Sequence, residues 1–335
     1  MHPMKLVLKY YLVVELILGL MGCKTNPPSV DLTPPVEYGQ LSIVSNVDSC
    51  LIFVDNLNTE KYTPATLTLA AGNHQIRLEK ENYIPETKNV TILKDSLISI
   101  NFTLRLSLAD KVTLIEDFAN VSCSPCVISN RILESIKTNY GHKKVIIIKF
   151  PTNFPSPSDP FYLANQSDCN SRMSYYNILV APTTKVDGIL TPVSTDSNSI
   201  KQKIEQRISQ IPKFKITARD SLSSADYNIK ITLEIIDTSG VDFMDLVLHT
   251  VVVESLIEFA APPGSNGETK FYDVMRKMLP SSSGESLTYY STTQTYERQI
   301  NLNPVWNPSK LETVVFIQNK ATKEVLQAGS TYTFN

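Results

Sequence analysis

The sequence predicts a multidomain chain: a small all-β region, then an α/β region, then a second all-β region. Residues 39–106 alternate apolar and polar side chains in short runs between turn residues, a pattern typical of half-buried strands. Residues 111–210 instead alternate strand and helix signals, and residues 211–335 return to strand signals. With 335 residues the chain is too long for one ordinary domain, which agrees with several separate cores.

The first 22 residues are typical of an export signal. Lys5 and Lys9 precede an apolar run at 10–20 that is too short to span a bilayer and is interrupted by Glu15. The run ends at Leu20-Met-Gly-Cys23, which resembles the bacterial lipobox and implies that Cys23 is lipidated after cleavage. Acyl chains would then anchor the protein without a membrane helix. The alternative is an ordinary signal peptide with a chance cysteine.

Composition limits the expected partners. A net charge of −2 and a pI near 6.1 argue against a nucleic-acid-binding protein. The four histidines form no cluster, and no glycine-rich phosphate loop is present, so we expect neither a cofactor nor a metal. The expected contacts are the membrane, through the N-terminal lipid, and another envelope protein.

The first β region follows a proline-rich tether at residues 23–38 and is expected to form a small sandwich. Its segments Pro64-Ala-Thr-Leu-Thr-Leu, Gly72-Asn-His-Gln-Ile-Arg-Leu and Asn82-Tyr-Ile-Pro85 resemble the PEGA domain. That resemblance implies a spacer or envelope-contacting module without catalytic residues. Cys50 lies beside an apolar run, so we expect a free thiol in the core.

The α/β region carries strand and helix signals in alternation, which predicts a partly parallel sheet. The predicted strands are 112–118, 144–150 and 183–188, and the predicted helices are 127–140, 161–178 and 199–210. Cys169 falls in the second of these helices, where we expect a packed thiol.

The segment Cys123-Ser-Pro-Cys126 stands where the first of these strands gives way to a helix. Such a pair can be a redox site, half of a zinc site or a structural disulfide. Zinc needs two more ligands, and the only candidates nearby, Cys169 and His142, fit no finger spacing. Export places the pair in a compartment where disulfides persist. In a redox site, the positive end of the helix would favour Cys123 as the attacking thiolate, with Cys126 as the resolving thiol.

Two further features flank the pair in chain order. Asp117-Phe118 lies six residues before Cys123, and Val180-Ala-Pro-Thr183 precedes a strand that ends in an Asp-Gly turn. Together these features resemble the thioredoxin fold. The resemblance implies that Asp117 is a buried proton acceptor and that a cis Pro182 holds the backbone of a substrate strand. Ser122 stands where that family usually carries an aromatic residue.

The last region is expected to form a β-sandwich of immunoglobulin type. Its predicted strands are 214–218, 228–236, 245–254, 295–301, 313–318 and 324–332, with a loop and a short helix at 271–278 between the third and the fourth.

The last two thirds of the chain resemble the outer membrane protein 28-related family. The matching segments include Asn266-Gly-Glu, Phe271-Tyr-Asp-Val-Met-Arg-Lys-Met-Leu279 and Val314-Val-Phe-Ile-Gln-Asn319. The resemblance implies an outer-membrane lipoprotein on the periplasmic side. Its expected activity is thiol–disulfide exchange through Cys123 and Cys126 on a protein substrate. The alternative is a non-enzymatic binding or structural lipoprotein with an inert disulfide, so whether the chain is an enzyme stays open.

Overall fold

A computed structural model describes residues 35–106, 109–223 and 225–334. The predicted signal peptide, the lipidation residue Cys23 and most of the 23–38 tether lie outside these residues. Within the described ranges, no helix is both long enough and apolar enough to cross a membrane.

The first region is a two-sheet β-sandwich, as predicted. One sheet has the order β4-β1-β8 and the other β3-β2-β5-β7, while β6 pairs with β9. The apolar faces of the two larger sheets enclose a core that includes Leu41, Ile52 and Phe102. Cys50 is buried there as a free thiol, which confirms its predicted state. The strands are β1 (Tyr38–Ser45), β2 (Leu51–Val54), β3 (Leu57–Tyr62), β4 (Ala65–Ala70), β5 (Gly72–Glu79), β6 (Tyr83–Ile84), β7 (Glu86–Ile92), β8 (Leu97–Phe102) and β9 (Arg105–Leu106).

The middle region alternates strands and helices. Strand β10 pairs parallel with β11 and antiparallel with β12, which confirms the predicted partly parallel sheet. The helix predicted at 161–178 is two helices, because Asn165 ends the first and its side chain caps the second. The elements are β10 (Thr113–Ala119), α1 (Cys126–Tyr140), β11 (Val145–Pro151), α2 (Pro160–Ala164), α3 (Gln166–Tyr176), β12 (Thr183–Val186) and α4 (Ser197–Ile208).

Within its described residues, the last region adds ten strands. A three-stranded sheet of order β13-β14-β20 packs against the larger sheet through residues such as Tyr227, Leu246 and Val315. The two sheets form a sandwich, but an immunoglobulin type is not confirmed. The strands are β13 (Phe214–Leu222), β14 (Asp226–Ile235), β15 (Leu246–Glu254), β16 (Ile257–Glu258), β17 (Lys270–Phe271), β18 (Val274–Leu279), β19 (Glu285–Ser286), β20 (Thr293–Asn301), β21 (Leu311–Asn319) and β22 (Val325–Ser330).

The short helix predicted at 271–278 was wrong, because this segment forms strands β17 and β18. Five of the six side chains of β18 are buried. The strand pairs antiparallel with β15 and parallel with β11 at Lys149 and Val274. A strand covered on both faces carries a nearly continuous apolar run, and such a run cannot be told from a buried helix by its periodicity.

One sheet crosses the predicted boundary at residue 210. Its order is β12-β10-β11-β18-β15-β21-β22, with β19 beside β15. The core on one of its faces combines Phe118, Ile148 and Tyr176 with Val251 and Phe316. The middle and last regions are therefore built on a common sheet. The domain boundaries and the thioredoxin-like character of residues 111–210 stay predictions.

Candidate disulfide site

The two cysteines of the Cys-Ser-Pro-Cys segment form a disulfide at the start of α1. The turn before it is closed by the Cys123 N–H, which donates to the Asn120 carbonyl at 3.0 Å. The exposed fraction of Cys123 is 2% and that of Cys126 is 0%. The pair is therefore joined and covered, and neither sulfur is available as a metal ligand.

Asp117 lies beneath this end of α1 and is fully buried, as predicted. One carboxylate oxygen accepts from the Thr184 hydroxyl at 2.8 Å and from the Ser129 hydroxyl at 3.4 Å. The other lies 3.3 Å from the Lys149 ammonium. Strand register explains this arrangement, because β10 places Asp117 opposite Lys149 on one side and Thr184 on the other. The role of Asp117 as a proton acceptor stays a prediction.

Pro182 stands at the same end of the sheet. The Ala181–Pro182 peptide bond is cis. Pro182 lies two residues before Thr184. The hydroxyl groups of Thr184 and of Ser129 in α1 both donate to the Asp117 carboxylate. The two residues before Ala181 leave apolar side chains in solvent, with 73% of Leu179 and 65% of Val180 exposed. Thr184 and Ser129 thus join the strand after the cis proline and the start of α1 at Asp117. The catalytic roles of Pro182, Cys123 and Cys126 stay predictions.

A strap covers the disulfide turn, and we define it as residues 257–271, from β16 to the end of β17. The Asn266 N–H donates to the Val121 carbonyl at 3.1 Å, and the Ser265 N–H donates to the Ser122 hydroxyl at 3.3 Å. A Cβ atom at Gly264 would lie only 2.3 Å from the Val121 carbonyl oxygen. Glycine at this position therefore allows the strap to lie directly on the turn before Cys123.

A chain of polar side chains fastens the strap to α1. Both carboxylate oxygens of Glu268 accept from the Asn130 amide, at 2.8 and 2.9 Å, and one also accepts from the Asn266 amide at 2.7 Å. The Asn130 carbonyl oxygen accepts in turn from the Lys149 ammonium. The strap is thereby linked through Asn130 and Lys149 to Asp117.

Aromatic packing completes the cover. Phe259 and Phe271 of the strap meet Phe161 edge to face, with ring centroids 5.7 and 4.9 Å apart. Val121 joins the same cluster. The strap was not predicted from the sequence. Its segment Asn266-Gly-Glu268 contributed only to the family resemblance. The one local signal was Pro262-Pro-Gly264, which is common in surface loops of any kind.

The two alternative zinc ligands have other surroundings. Cys169 is fully buried in the core, and burial raises the pKa of its thiol. His142 stacks on Tyr332 with ring centroids 4.0 Å apart. Among the described residues, no group of three or more histidine, cysteine, aspartate or glutamate side chains is arranged to hold a metal ion.

Two family models match the chain. Residues 170–332 match the outer membrane protein Omp28 family, and residues 38–108 match the PEGA domain. Both predicted resemblances are thereby confirmed over these ranges, in agreement with a cell-envelope location. No protein with a curated description matches.

Three solved structures resemble parts of this chain at low identity. HBP35 of Porphyromonas gingivalis is 13% identical with a TM-score of 0.54, over 66% of this chain and 75% of its own. A protein of Agrobacterium tumefaciens is 12% identical with a TM-score of 0.44, over 66% and 94% of the two chains. A domain of the outer membrane lipoprotein Omp28 of Porphyromonas gingivalis is 15% identical with a TM-score of 0.27, over 36% and 88%. The first similarity alone is strong enough to indicate a common fold.

Proposed function

We propose that this chain, which joins a PEGA domain to an Omp28-family region, is a lipid-anchored protein of the outer membrane that faces the periplasm. In this proposal, the cysteine pair is a closed structural disulfide, and the protein acts by binding or supporting other envelope components. The support for the location is the lipobox-like segment before Cys23 together with the two family matches.

The observation that supports an inert disulfide is the burial of both cysteines. Thiol–disulfide exchange begins when a thiolate attacks one sulfur of the disulfide, so its rate depends on access to that sulfur. Only 2% of Cys123 and none of Cys126 is exposed, and the strap is fastened over the turn between Val121 and Cys123. With both cysteines buried, a protein thiol cannot reach either sulfur in this conformation.

Alkylation of the detergent-solubilised full chain tests this proposal. After mild reductant at graded pH, we expect Cys123 and Cys126 to remain unmodified in the folded protein. The buried free thiols Cys50 and Cys169 are internal controls, since they react only when their cores open. Modification of Cys123 while Cys169 stays protected would contradict an inert disulfide.

Thiol–disulfide exchange is the second candidate function. It is favoured by the buried Asp117 beneath the disulfide and by the cis Pro182 at the same end of the sheet. A Cys126→Ser variant would then accumulate a mixed disulfide between Cys123 and a substrate protein, because the resolving thiol is missing. Recovery of such an adduct from oxidised envelope extract, with none formed by Cys123→Ser, would favour exchange over the inert disulfide.

The lipid anchor has a separate test. We expect Cys23→Ala to move the protein from the membrane fraction to the soluble fraction, because the thiol that accepts the lipid is gone. Cys50→Ala is the matched control, since Cys50 is buried in the first β-sandwich. A Cys23→Ala protein that still sediments with membranes would rule out this anchor.

A further inference from the structure

A cavity of about 410 Å³ opens between α1, β11 and the segment that follows the strap. Its lining includes Glu134, Lys137 and Thr138 from α1, and Tyr272 and Asp273 from the turn before β18. The volume lies within the range of small-molecule sites, which often form where two parts of a fold meet.

Most of the charged groups around the cavity are already paired. The Lys137 ammonium lies 2.6 and 2.8 Å from the two carboxylate oxygens of Asp273, which also accepts from the Tyr332 hydroxyl. Lys149 is shared between Asp117 and Asn130. Burial and the neighbouring Lys137 lower the pKa of His142, which favours its neutral form.

Glu134 is the exception. It is half-buried, and its carboxylate has no hydrogen bond or ion pair among the residues that the structure describes. Burial raises the pKa of Glu134, and Glu268 and Asp273 act in the same direction, whereas Lys149 and Arg131 oppose it. A carboxylate in this position is stabilised by a cation that enters the cavity.

We propose that this cavity binds an aliphatic ammonium group, either a small primary amine or a lysine side chain of another protein, with Glu134 as its counter-ion. An ammonium group has three donors and no acceptor. The Thr138 and Tyr272 hydroxyl oxygens, which line the same cavity as Glu134, are available as further acceptors. A carboxylate or phosphate ligand would instead meet the unpaired charge of Glu134 and be repelled. The proposed contacts use neither cysteine of the disulfide.

Calorimetric titration of the full chain tests the assignment. The probes are butylamine for a free amine, Nα-acetyl-lysine methylamide for a protein lysine, and butyrate as the anionic control. We expect saturable binding of at least one amine and none of butyrate. Binding of butylamine alone would assign the site to free amines, and binding of the lysine derivative would extend it to protein lysines.

Variants locate the binding. Glu134→Gln should weaken amine binding at least tenfold, because a hydrogen bond to a charged group contributes about 1.5–3 kcal/mol. Glu134→Asp keeps the charge and should retain measurable binding. Glu297→Gln is the control, since Glu297 is an exposed acid on β20, away from the cavity. The proposal is overturned if neither amine binds saturably, if Glu134→Gln binds amines as well as the wild type does, or if butyrate binds as tightly.

Discussion

Glu116 and Asp117 are neighbours on β10, both fully buried, yet their side chains serve opposite faces of the sheet. Glu116 faces α3, where Arg172 donates to both of its carboxylate oxygens at 2.5 and 2.9 Å. Asp117 faces α1 and the disulfide, where its contacts are 2.8 to 3.4 Å long. The two acids are equally buried and each has three side-chain contacts, but the contacts of Asp117 are the longer ones.

The Glu116 carboxylate belongs to a wider hydrogen-bond network. Tyr176 also donates to Glu116 at 2.5 Å, and Gln318 of β21 accepts from Arg172 at 2.9 Å. This network joins the middle and last regions of the chain, so Glu116 belongs to the scaffold. Asp117 is instead linked through Lys149 and Asn130 to the strap, so its surroundings depend on a segment that is distant in the chain. The difference separates the part of β10 that builds the fold from the part that underlies the candidate site.

The largest expected effect comes from breaking the Glu116 network. Arg172→Met leaves the Glu116 carboxylate buried without its cation, which should cost about 3–5 kcal/mol of unfolding free energy. Denaturant unfolding followed by tyrosine fluorescence would measure it. Arg131→Met, a change at an exposed position on α1, is the control and should have little effect. Equal midpoints for the two variants would mean that the network is not structural.

Asp117→Asn should have a smaller effect. The new amide can still accept the hydrogen bond from Thr184, and Lys149 keeps its hydrogen bond to Asn130. We therefore expect the unfolding free energy to fall by about 1–3 kcal/mol. A double-mutant cycle with Lys149→Met isolates the coupling between the two charges. A loss as large as that of Arg172→Met would remove the distinction between the two faces.

His249 of β15 makes the free energy of unfolding depend on pH. It is 5% exposed, stacks on Phe316, and its Nδ1 atom has no hydrogen-bond partner within the described part of the chain. Burial, with a contribution from Arg172, holds the pKa of His249 well below its usual value. The unfolded chain therefore binds a proton that the folded chain excludes, and stability falls as pH drops below about 6.5.

Between pH 7.5 and 5.5 we expect His249 to account for a loss of about 1.4 kcal/mol in unfolding free energy. This pH range lies above the range in which carboxylates usually titrate. His249→Phe keeps an aromatic ring against Phe316 and should remove this part of the pH dependence. An unchanged slope in that variant would show that another group is responsible.

The local sequence pattern was sufficient to predict much of the candidate site. The apolar run of β10 and the helical spacing of α1 placed both elements to within a residue or two, and the position of Asp117 before the cysteine pair indicated its burial. The strap could not be predicted in this way. Its contacts join Val121 to Asn266, residues far apart in the chain, and its fit depends on the missing side chain of Gly264. The error at β18 has a similar origin, since its strand state depends on two distant partner strands.

The central claim is that the strap keeps the disulfide closed to other thiols. The most direct test compares Gly264→Ala with Ser265→Ala in the rate at which a small thiol reduces the Cys123–Cys126 disulfide of the folded protein. The added Cβ at residue 264 would meet the Val121 backbone, whereas Ser265→Ala keeps the N–H that bonds Ser122. We predict that Gly264→Ala is reduced at least about tenfold faster than the wild type and that Ser265→Ala is not. Rapid reduction of the wild type itself, at the Gly264→Ala rate and with Cys169 still protected, would contradict the account.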